Sequence, residues 1–361
     1  MKKYSVGWGL TNICNMNCQF CYSKIARDKK QELSLIDWIN FIDLNHENIE
    51  SINYGTGENT LIDDFFIFID YVRTNYPEIT QSLTTNGHLY EKIKSNPKYY
   101  ESYLRSIDEV DVSLDFADKN KHTQFRGQPK AYDWAINTLK MLQHDNKKAT
   151  IVFVGFDETL EKENIAGLFK IALEYDAYLR LNIYRPTSCN EEINKKFILS
   201  QDKLYDALDF INENYRILSL NDSLLGNLYT DELVSDNTGV SSIRILPNGM
   251  ICPSTYLISD EYLSEYSILD GKVLNNLEFP QFEKPPVPTE CNNCLIKDKC
   301  RGGVLDRRYL WYGSLEERDP YCPTRFSKDL PKQKYKVYKK ERISVHDGYL
   351  PTLFFENRGD N

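Results

Sequence analysis

Strand-like and helix-like segments alternate six times along the first two-thirds of the chain. In chain order, the strand-like segments are KYSVGWGLT, IESINY, ITQSLTTNG, EVDVSLDF, ATIVFVGF and YLRLNIYRP. Between them lie stretches whose apolar residues recur at helical spacing. β/α units in series favour a parallel sheet, because consecutive parallel strands need a crossover connection, which is usually right-handed. We therefore predict an α/β fold, a partial (β/α)6 TIM-like barrel, over residues 1–225.

The sequence changes character near Gly239, where short strands, turns and cysteines replace the long β/α units. The segment PNG at 247–249 predicts a tight hairpin turn. We predict a small cysteine-rich domain over residues 240–327. The remaining residues, 328–361, are predicted to form a C-terminal tail that packs back onto the body.

Charge and hydropathy exclude some classes of partner. The net charge of −9 argues against a general nucleic-acid binder, which normally shows a basic surface. We find no signal peptide and no run that approaches the ~20 apolar residues of a membrane span. We therefore predict a cytoplasmic protein with neither nucleic-acid nor membrane partners. In that compartment thiols stay reduced, so nine cysteines indicate metal ligation or redox chemistry more than disulfides.

The segments with chemically active residues fall at the ends of predicted strands. A three-cysteine loop follows the first strand, GTGEN the second, TTNG the third and RPTSC the sixth, while SLDF ends the fourth. In parallel α/β barrels the carboxyl ends of the strands form the active-site face. We expect these segments to meet at that face.

The three-cysteine loop, CNMNCQFC, contains Cys14, Cys18 and Cys21 within eight residues. A [4Fe–4S] cluster has four irons that each take one external ligand, and cysteine thiolate is the usual one. Three cysteines would leave one iron open to a small molecule. A zinc site completed by a distant residue is the alternative.

The spacing Cys-x3-Cys-x2-Cys, with Phe20 before the last cysteine, resembles the signature of the radical S-adenosylmethionine (radical SAM) enzymes. The resemblance spans the first six β/α units. It implies that S-adenosyl-L-methionine (SAM) binds the open iron through its amino and carboxylate groups. In that family, reductive cleavage of SAM yields a 5′-deoxyadenosyl radical that abstracts a substrate hydrogen. The reductant would be a protein such as flavodoxin or ferredoxin.

The same resemblance implies further residues that bind the cofactor. GTGENT is similar to the family's Gly-Gly-Glu-Pro stretch, although Thr56 and Asn59 depart from it. Glycines let the backbone approach the methionine end of SAM, and a glutamate suits its ammonium. An arginine suits its carboxylate, although a surface arginine and a plain turn at TTNG are the structural alternatives. The predicted cofactor-binding residues are Phe20, Gly55, Gly57, Glu58, Thr85, Asn86, Ser113 and Arg126.

A second ligand set consists of Cys291, Cys294, Cys300 and Cys322. Composition alone leaves zinc and iron–sulfur open. However, CNNCLIKDKCRGG followed by YCPTRF resembles the SPASM extension of radical SAM enzymes, whose cysteines bind auxiliary [4Fe–4S] clusters. A full extension has seven cysteines, whereas here Val304 occupies one ligand position and only Cys252 remains upstream. We therefore predict one auxiliary cluster with four cysteine ligands, and a structural or spare thiol at Cys252. Participation of Cys252 in an inner cluster is the alternative.

Two residues are candidates for catalysis beyond cofactor binding. Cys189 lies just past the sixth strand, where a thiol would be able to donate a hydrogen atom to a substrate radical. A loop cysteine without a role is the alternative. Asp115, at the end of the fourth strand, is a candidate proton acceptor from a radical intermediate.

The resemblance implies an oxidoreductase, and SPASM members commonly modify peptides or proteins. We therefore expect a peptide substrate that is cross-linked or oxidised during maturation of a ribosomally made natural product. The first cluster cysteine is residue 14, so we expect no N-terminal leader-binding domain, which weighs against this hypothesis. The alternative enzyme is a dehydrogenase or epimerase of a small molecule such as an amino sugar. The non-enzyme alternative is a zinc-stabilised binding module.

Overall fold

Parallel strands follow one another in chain order through the centre of the protein. The structure, a computed structural model, describes residues 2–24, 31–188, 190–258, 266–271, 274, 277–326, 328–338, 343–347 and 349–357. Its strands are β1 (Tyr4–Trp8), β2 (Ile49–Tyr54), β3 (Thr80–Thr85), β4 (Glu109–Ser113), β5 (Lys148–Gly155), β6 (Ala177–Ile183), β7 (Arg216–Asn221), β8 (Ser242–Ile245), β9 (Ile251–Cys252) and β10 (Thr352–Glu356).

Helices connect most of these strands. They are α1 (Leu35–Asn45), α2 (Asp63–Asn75), α3 (His88–Ile93), α4 (Pro97–Ser106), α5 (Lys119–Arg126), α6 (Ala131–His144), α7 (Lys162–Glu174), α8 (Glu191–Phe197), α9 (Gln201–Asn214), α10 (Leu225–Tyr229), α11 (Pro280–Glu283), α12 (Lys297–Cys300) and α13 (Leu305–Tyr312). None of the helices in the described part of the chain has both the length and the hydrophobicity needed to cross a membrane.

The strand order in the sheet is β7-β10-β6-β5-β4-β3-β2-β1-β8-β9. Strands β1 to β6 are neighbours in sequence order and pair in parallel throughout. This arrangement confirms the predicted α/β fold with a partial barrel. Its physical basis is the serial crossover, which returns each strand parallel to the one before it.

Apolar residues on the outer face of the sheet pack against the helices. Trp8 of β1 makes edge-to-face contacts with Phe41 of α1 and Phe68 of α2, each with ring centroids 5.3 Å apart. Helix α1 starts after Ser34, whose backbone N–H donates to Asp37 Oδ2 at 2.9 Å, as in a capping box. The main hydrophobic core therefore lies between the sheet and its surrounding helices.

Segments from the C-terminal third of the chain extend the sheet at both ends. Strand β8 pairs in parallel with β1, and β9 folds back on β8 as a hairpin whose turn contains Gly249 at φ +85°. Strand β10 inserts between β6 and β7 and runs antiparallel to both. Regions on both sides of residue 225 thus share one sheet, and the division into segments 1–225, 240–327 and 328–361 stays a prediction.

Candidate active site

The inner face of the sheet carries mostly polar side chains. Because successive residues of a strand point to opposite faces, the outward apolar residues alternate with inward polar ones. The polar inner-face residues are Ser5, Ser51, Asn53, Ser82, Thr84, Glu109, Asp111, Ser113, Arg180, Asn182 and Arg244. Branched aliphatic residues usually fill this layer in a closed barrel. In this protein the inner layer is polar and surrounds a cleft of about 1170 Å³.

The loop after β1 brings its three cysteines to this cleft. Cys14, Cys18 and Cys21 all line it, together with Phe20. Within the loop, the Cys21 N–H donates to the Cys18 carbonyl at 3.3 Å, and Cys21 Sγ lies 3.2 Å from the Ser23 hydroxyl. Three thiols at one wall, with the cleft open beside them, fit the donor set of a [4Fe–4S] cluster that has one iron without a protein ligand.

The loop after β2 packs directly on the cysteine loop. Gly57 has φ +61°, and a Cβ there would lie 2.5 Å from the Ile13 carbonyl oxygen and 2.7 Å from that of Thr11. The Glu58 N–H donates to the same Ile13 oxygen at 2.8 Å. Gly57 is therefore required by the chain's own backbone contact. Gly55 lines the cleft with ordinary space around a Cβ, the nearest atom being 3.4 Å away.

Thr56 occupies a position where the related motif has glycine. Its φ of +98° is a conformation that a non-glycine residue rarely adopts, and such strain persists only where surrounding contacts impose it. The Thr56 hydroxyl accepts a hydrogen bond from Arg244 Nη2, which also donates to the Gly55 carbonyl. The departure from the motif thus coincides with an arginine contact.

Glu58 links the loops that follow β2 and β3. Its carboxylate accepts hydrogen bonds from the Thr60 hydroxyl at 2.7 Å, the Thr85 hydroxyl at 2.9 Å and the Asn86 N–H at 2.7 Å. Burial raises the pKa of Glu58, while these hydrogen bonds act to lower it. Thr85 and Asn86 line the cleft, whereas Glu58 lies behind them. A bond from Glu58 to a cofactor ammonium stays a prediction.

Arg126, at the end of α5, lines the cleft near the cysteines. Its Nε donates to Asp115 Oδ2 at 2.6 Å, and its guanidinium carbon lies 5.0 Å from the centre of the Phe20 ring. Asp115 is fully buried, and its other oxygen accepts the Val154 N–H at 3.0 Å. Both Asp115 oxygens are therefore engaged behind the wall of the cleft. Ser113, two residues earlier, lines the cleft itself.

The predicted hydrogen donor, Cys189, lies outside the described residues. Its neighbours Arg185 and Tyr184 both line the cleft. The role of Cys189 therefore stays a prediction.

The four C-terminal cysteines line a second, smaller cavity of about 350 Å³. Its remaining walls are largely apolar, with Leu224, Leu228, Ile296 and Leu330 among them. Three of the four cysteines are buried, and burial raises the pKa of the Cys291 and Cys300 thiols. Four thiols around one largely apolar cavity fit the donor set of a fully protein-ligated cluster.

Cys252 is not among the residues that line the cleft or the second cavity. It packs with Leu246 and Ile258, and Tyr22 of the cysteine loop borders the same group. Among the described residues, no three His, Cys, Asp or Glu side chains are arranged to hold a single metal ion.

Residues 8–169 match the family model of the Radical SAM superfamily. They form a radical SAM domain. The mycofactocin maturase MftC of Mycobacterium tuberculosis (strain CDC 1551 / Oshkosh) is 26% identical over 334 residues, covering 87% of this chain and 81% of that protein. The Fe-coproporphyrin III synthase of Methanosarcina barkeri (strain Fusaro / DSM 804) is 28% identical over 371 residues, covering 89% and 88%.

Solved structures show that this fold is shared. SuiB of Streptococcus suis, bound to its precursor peptide SuiA, superposes with a TM-score of 0.66 at 18% identity, covering 89% of this chain and 76% of SuiB. SuiB shows the fold alone, whereas the family match over residues 8–169 and the similarity to MftC confirm the predicted radical SAM domain and the assignment as an enzyme.

The radical SAM cleft also contains residues that sequence analysis missed. Arg180, Arg185 and Arg244 line it, together with His346 and Tyr349 from the C-terminal tail. A signal was present in the strands themselves, since LRLNI and SIRI each carry one arginine between apolar residues. In a parallel sheet with helices on both faces such strands would be continuously apolar.

Proposed function

We propose that this radical SAM enzyme oxidatively modifies a peptide, cross-linking or oxidising a side chain during maturation of a natural product. The observation that carries the proposal is the cleft in the sheet, where three cysteines lie at one wall with open space beside them. Support for the peptide comes from MftC, a named maturase that resembles this chain over most of its length. SuiB, which shares the fold, has been solved with a precursor peptide.

Cys14, Cys18 and Cys21 would hold the [4Fe–4S] cluster, which with bound SAM supplies the 5′-deoxyadenosyl radical upon reduction. Arg126, fixed by its 2.6 Å bond to Asp115, presents positive charge for a carboxylate group. An apolar group of side chains packs with these cysteines and contains Met16, Phe20, Phe116, Phe125, Phe156 and Phe197. It would keep water from the cluster side of the cleft.

The second cavity would hold an auxiliary [4Fe–4S] cluster on Cys291, Cys294, Cys300 and Cys322. With all four irons ligated by the protein, it would transfer electrons rather than bind substrate. We propose that it accepts the electron that leaves the substrate radical. A flavodoxin or ferredoxin of the cytoplasm would supply the electron for SAM cleavage. Proton acceptance by Asp115 and hydrogen donation by Cys189 belong to this proposal as untested roles.

A second candidate is a small-molecule substrate. The Fe-coproporphyrin III synthase resembles this chain over 89% of its length, slightly more than MftC does, and its name gives a small molecule as product. The polar inner face of the sheet suits a polar small molecule as well as a peptide.

The decisive experiment is turnover by the anaerobically purified enzyme with SAM, dithionite and any short peptide encoded beside its gene. We expect 5′-deoxyadenosine together with a peptide that has lost hydrogen, both measured by mass spectrometry. Cys18→Ala should abolish SAM cleavage. Cys294→Ala should spare uncoupled cleavage but stop peptide modification.

Cys252→Ala is the matched control and should retain both reactions. A Cys294→Ala enzyme that still modifies peptide would show that the second cluster is only structural. SAM cleavage without change in any offered peptide would favour the small-molecule candidate.

A further inference from the structure

Among the described residues, four arginines line the radical SAM cleft, and three of these four have a carboxylate partner. Arg126 bonds to Asp115 at 2.6 Å, while Arg180 and Arg185 each lie 3.2 Å from a buried carboxylate oxygen, of Asp111 and Asp306 respectively. Arg244 of β8 has no such partner among the described residues. Its Nη2 donates to the Gly55 carbonyl and the Thr56 hydroxyl, which are both neutral.

Arg244 is deeply buried, with only 2% of its surface exposed. Its Nε is enclosed and has no hydrogen-bond partner in the described part of the chain. An unpaired buried charge costs several kcal/mol, and folded proteins retain one only where something compensates it. Because no carboxylate of the described residues pairs with Arg244, its guanidinium is suited to an anionic ligand.

The Tyr349 hydroxyl stands beside this guanidinium. A Cβ on Gly7 would overlap with Tyr349 Oη and lie 2.7 Å from Arg244 Nη1, so both groups meet the same point of β1. Tyr349 Oη is 3.0 Å from the Thr255 hydroxyl and donates to the Ile243 carbonyl at 3.4 Å. The guanidinium supplies the charge for a carboxylate, and the two hydroxyls provide a polar lining next to it.

Arg180 of β6 and His346 also line the cleft. Asp111 Oδ2, which is buried, lies 3.2 Å from Arg180 Nη1 and 3.1 Å from His346 Nδ1. The pKa of His346 is held well below the ordinary value by burial and then by the charges of Arg180 and Arg244, so His346 adds no positive charge. Asp111 offsets the charge of Arg180, whereas the charge of Arg244 has no carboxylate beside it among the described residues.

We propose that Arg244, with the hydroxyls of Tyr349 and Thr255, binds a carboxylate of the peptide substrate. This inference rests on the proposed function and adds a specificity-determining site to it. The cofactor carboxylate is assigned to Arg126 beside the cysteines, which leaves Arg244 for a second anion. The chemistry is shared by the C-terminal carboxylate of a peptide and by an Asp or Glu side chain, and the test separates the two sources.

The test measures binding of three probe peptides to the cluster-loaded enzyme with SAM but without reductant. The probes are N-acetyl-Gly-Gly-Phe as free acid, the same peptide as C-terminal amide, and N-acetyl-Gly-Glu-Phe amide. Affinities are measured by anaerobic calorimetry. We expect one of the two acidic probes to bind at least about tenfold more tightly than the neutral amide, because its carboxylate forms a charge-assisted hydrogen bond that the amide cannot form. The preferred acidic probe identifies the source.

The Arg244→Gln variant should bind the acidic and the neutral probe with about equal affinity. Its affinity for SAM should stay within about threefold of the wild-type value. Arg105→Gln is the matched control, since its side chain is 60% exposed and lies outside the cleft. It should keep the full preference. If Arg244→Gln does not fold, the acid-to-amide ratio of the wild type and the charge-retaining Arg244→Lys variant decide the question.

Equal binding of acidic and neutral probes by the wild type would overturn the proposal, as would no measurable binding of either acid at millimolar concentration. Loss of SAM affinity in Arg244→Gln with the preference unchanged would also overturn it, since Arg244 would then serve the cofactor. Failure of the proposed function is a separate result. It would appear as absent SAM cleavage or an unmodified peptide, whatever the binding preference.

Discussion

Gly7 lies on β1 at the point where side chains from the C-terminal third of the chain reach the inner face of the sheet. A Cβ there would overlap with Tyr349 Oη and crowd Arg244 Nη1. Gly55, which also lines the cleft, has no atom closer than 3.4 Å to a Cβ. The two glycines therefore differ in their surroundings. Gly7, on β1, makes room for side chains of the protein, whereas Gly55, directly after β2, has room for a Cβ.

Gly7→Ala should lower the free energy of unfolding by about 1–3 kcal/mol, because the added methyl forces two buried side chains to move. Gly55→Ala should change it by less than about 1 kcal/mol while weakening the binding of SAM. Anaerobic urea unfolding and SAM titration measure the two effects. Equal stability of the Gly7→Ala variant and the wild type would contradict the crowding that the structure shows at β1.

His122 of α5 is buried and neutral beside the cleft. Its Nδ1 accepts the Asp115 N–H at 3.1 Å, and burial followed by the charge of Arg126 lowers its pKa well below 6.5. The unfolded chain takes up a proton near pH 6.5, whereas the folded chain does not. The stability contributed by this group is therefore complete above pH 6.5 and is lost as the pH falls.

Between pH 6.5 and 5.5, His122 should reduce the free energy of unfolding by up to about 1.4 kcal/mol per pH unit. His122→Asn, which keeps an acceptor for the Asp115 N–H, should show a shallower slope by that amount. His144→Asn is the control, because that side chain is 84% exposed. Denaturant unfolding at a series of pH values measures the slope of the free energy of unfolding against pH. Equal slopes in His122→Asn and the wild type would contradict the prediction.

At the scale of elements, β10 joins two strands that would otherwise be separated. It pairs with β6 on one side and β7 on the other, and its Leu353, Phe354 and Phe355 are almost fully buried. The segment just before it contacts the start of β4, where the Ser344 hydroxyl and the Val345 N–H both donate to Glu109 Oε1. The C-terminal segment is therefore part of the sheet and of the cleft lining.

Phe355→Ala should lower the free energy of unfolding by about 3–5 kcal/mol, because it empties a fully buried position in the main core. Phe355→Leu should cost much less, since it retains most of the volume. Phe326→Ala, at a side chain that is 51% exposed, should change stability by about 0.5 kcal/mol or less. A small effect of Phe355→Ala would mean that β10 contributes little to the fold.

At the scale of the whole molecule, the N-terminal group of three cysteines and the C-terminal group of four line two separate cavities. The first lies within the barrel sheet and the second is lined by residues 291–302 together with Cys322. This separation predicts two clusters, each of which can be lost while the other is retained. Anaerobic purification should give a brown protein with about eight irons per chain, as for two cubane clusters.

Cys18→Ala and Cys294→Ala should each retain about four irons, because each removes a ligand from a different cluster. Cys252→Ala should retain all eight. Iron and sulfide analysis with absorption spectroscopy measures these values. About twelve irons would reveal an additional cluster, and zinc in place of iron would contradict the predicted iron–sulfur clusters.

Some of the site was accessible from sequence because its determinants are local. Cys14, Cys18 and Cys21 bring their thiols together within one loop, and the loop must lie at the carboxyl end of β1 in a parallel barrel. The chemistry of the surroundings was less accessible. The contacts of Asp115 with Arg126 and the close approach of Gly57 to the Ile13 carbonyl were not foreseen, while proton acceptance by Asp115 and cofactor approach at Gly57 stay predictions.

Sequence by itself determined the α/β alternation and the two cysteine groups, since hydrophobic periodicity and ligand spacing are properties of short segments. Only the tertiary structure decided what lines the cleft between them. Arg244 and Gly55 are 189 positions apart, and Tyr349 and Thr255 are 94 apart. They meet because β8 joins the sheet beside β1 and the C-terminal segment returns to the inner face. Such long-range pairings follow from how strands pack, which no local pattern specifies.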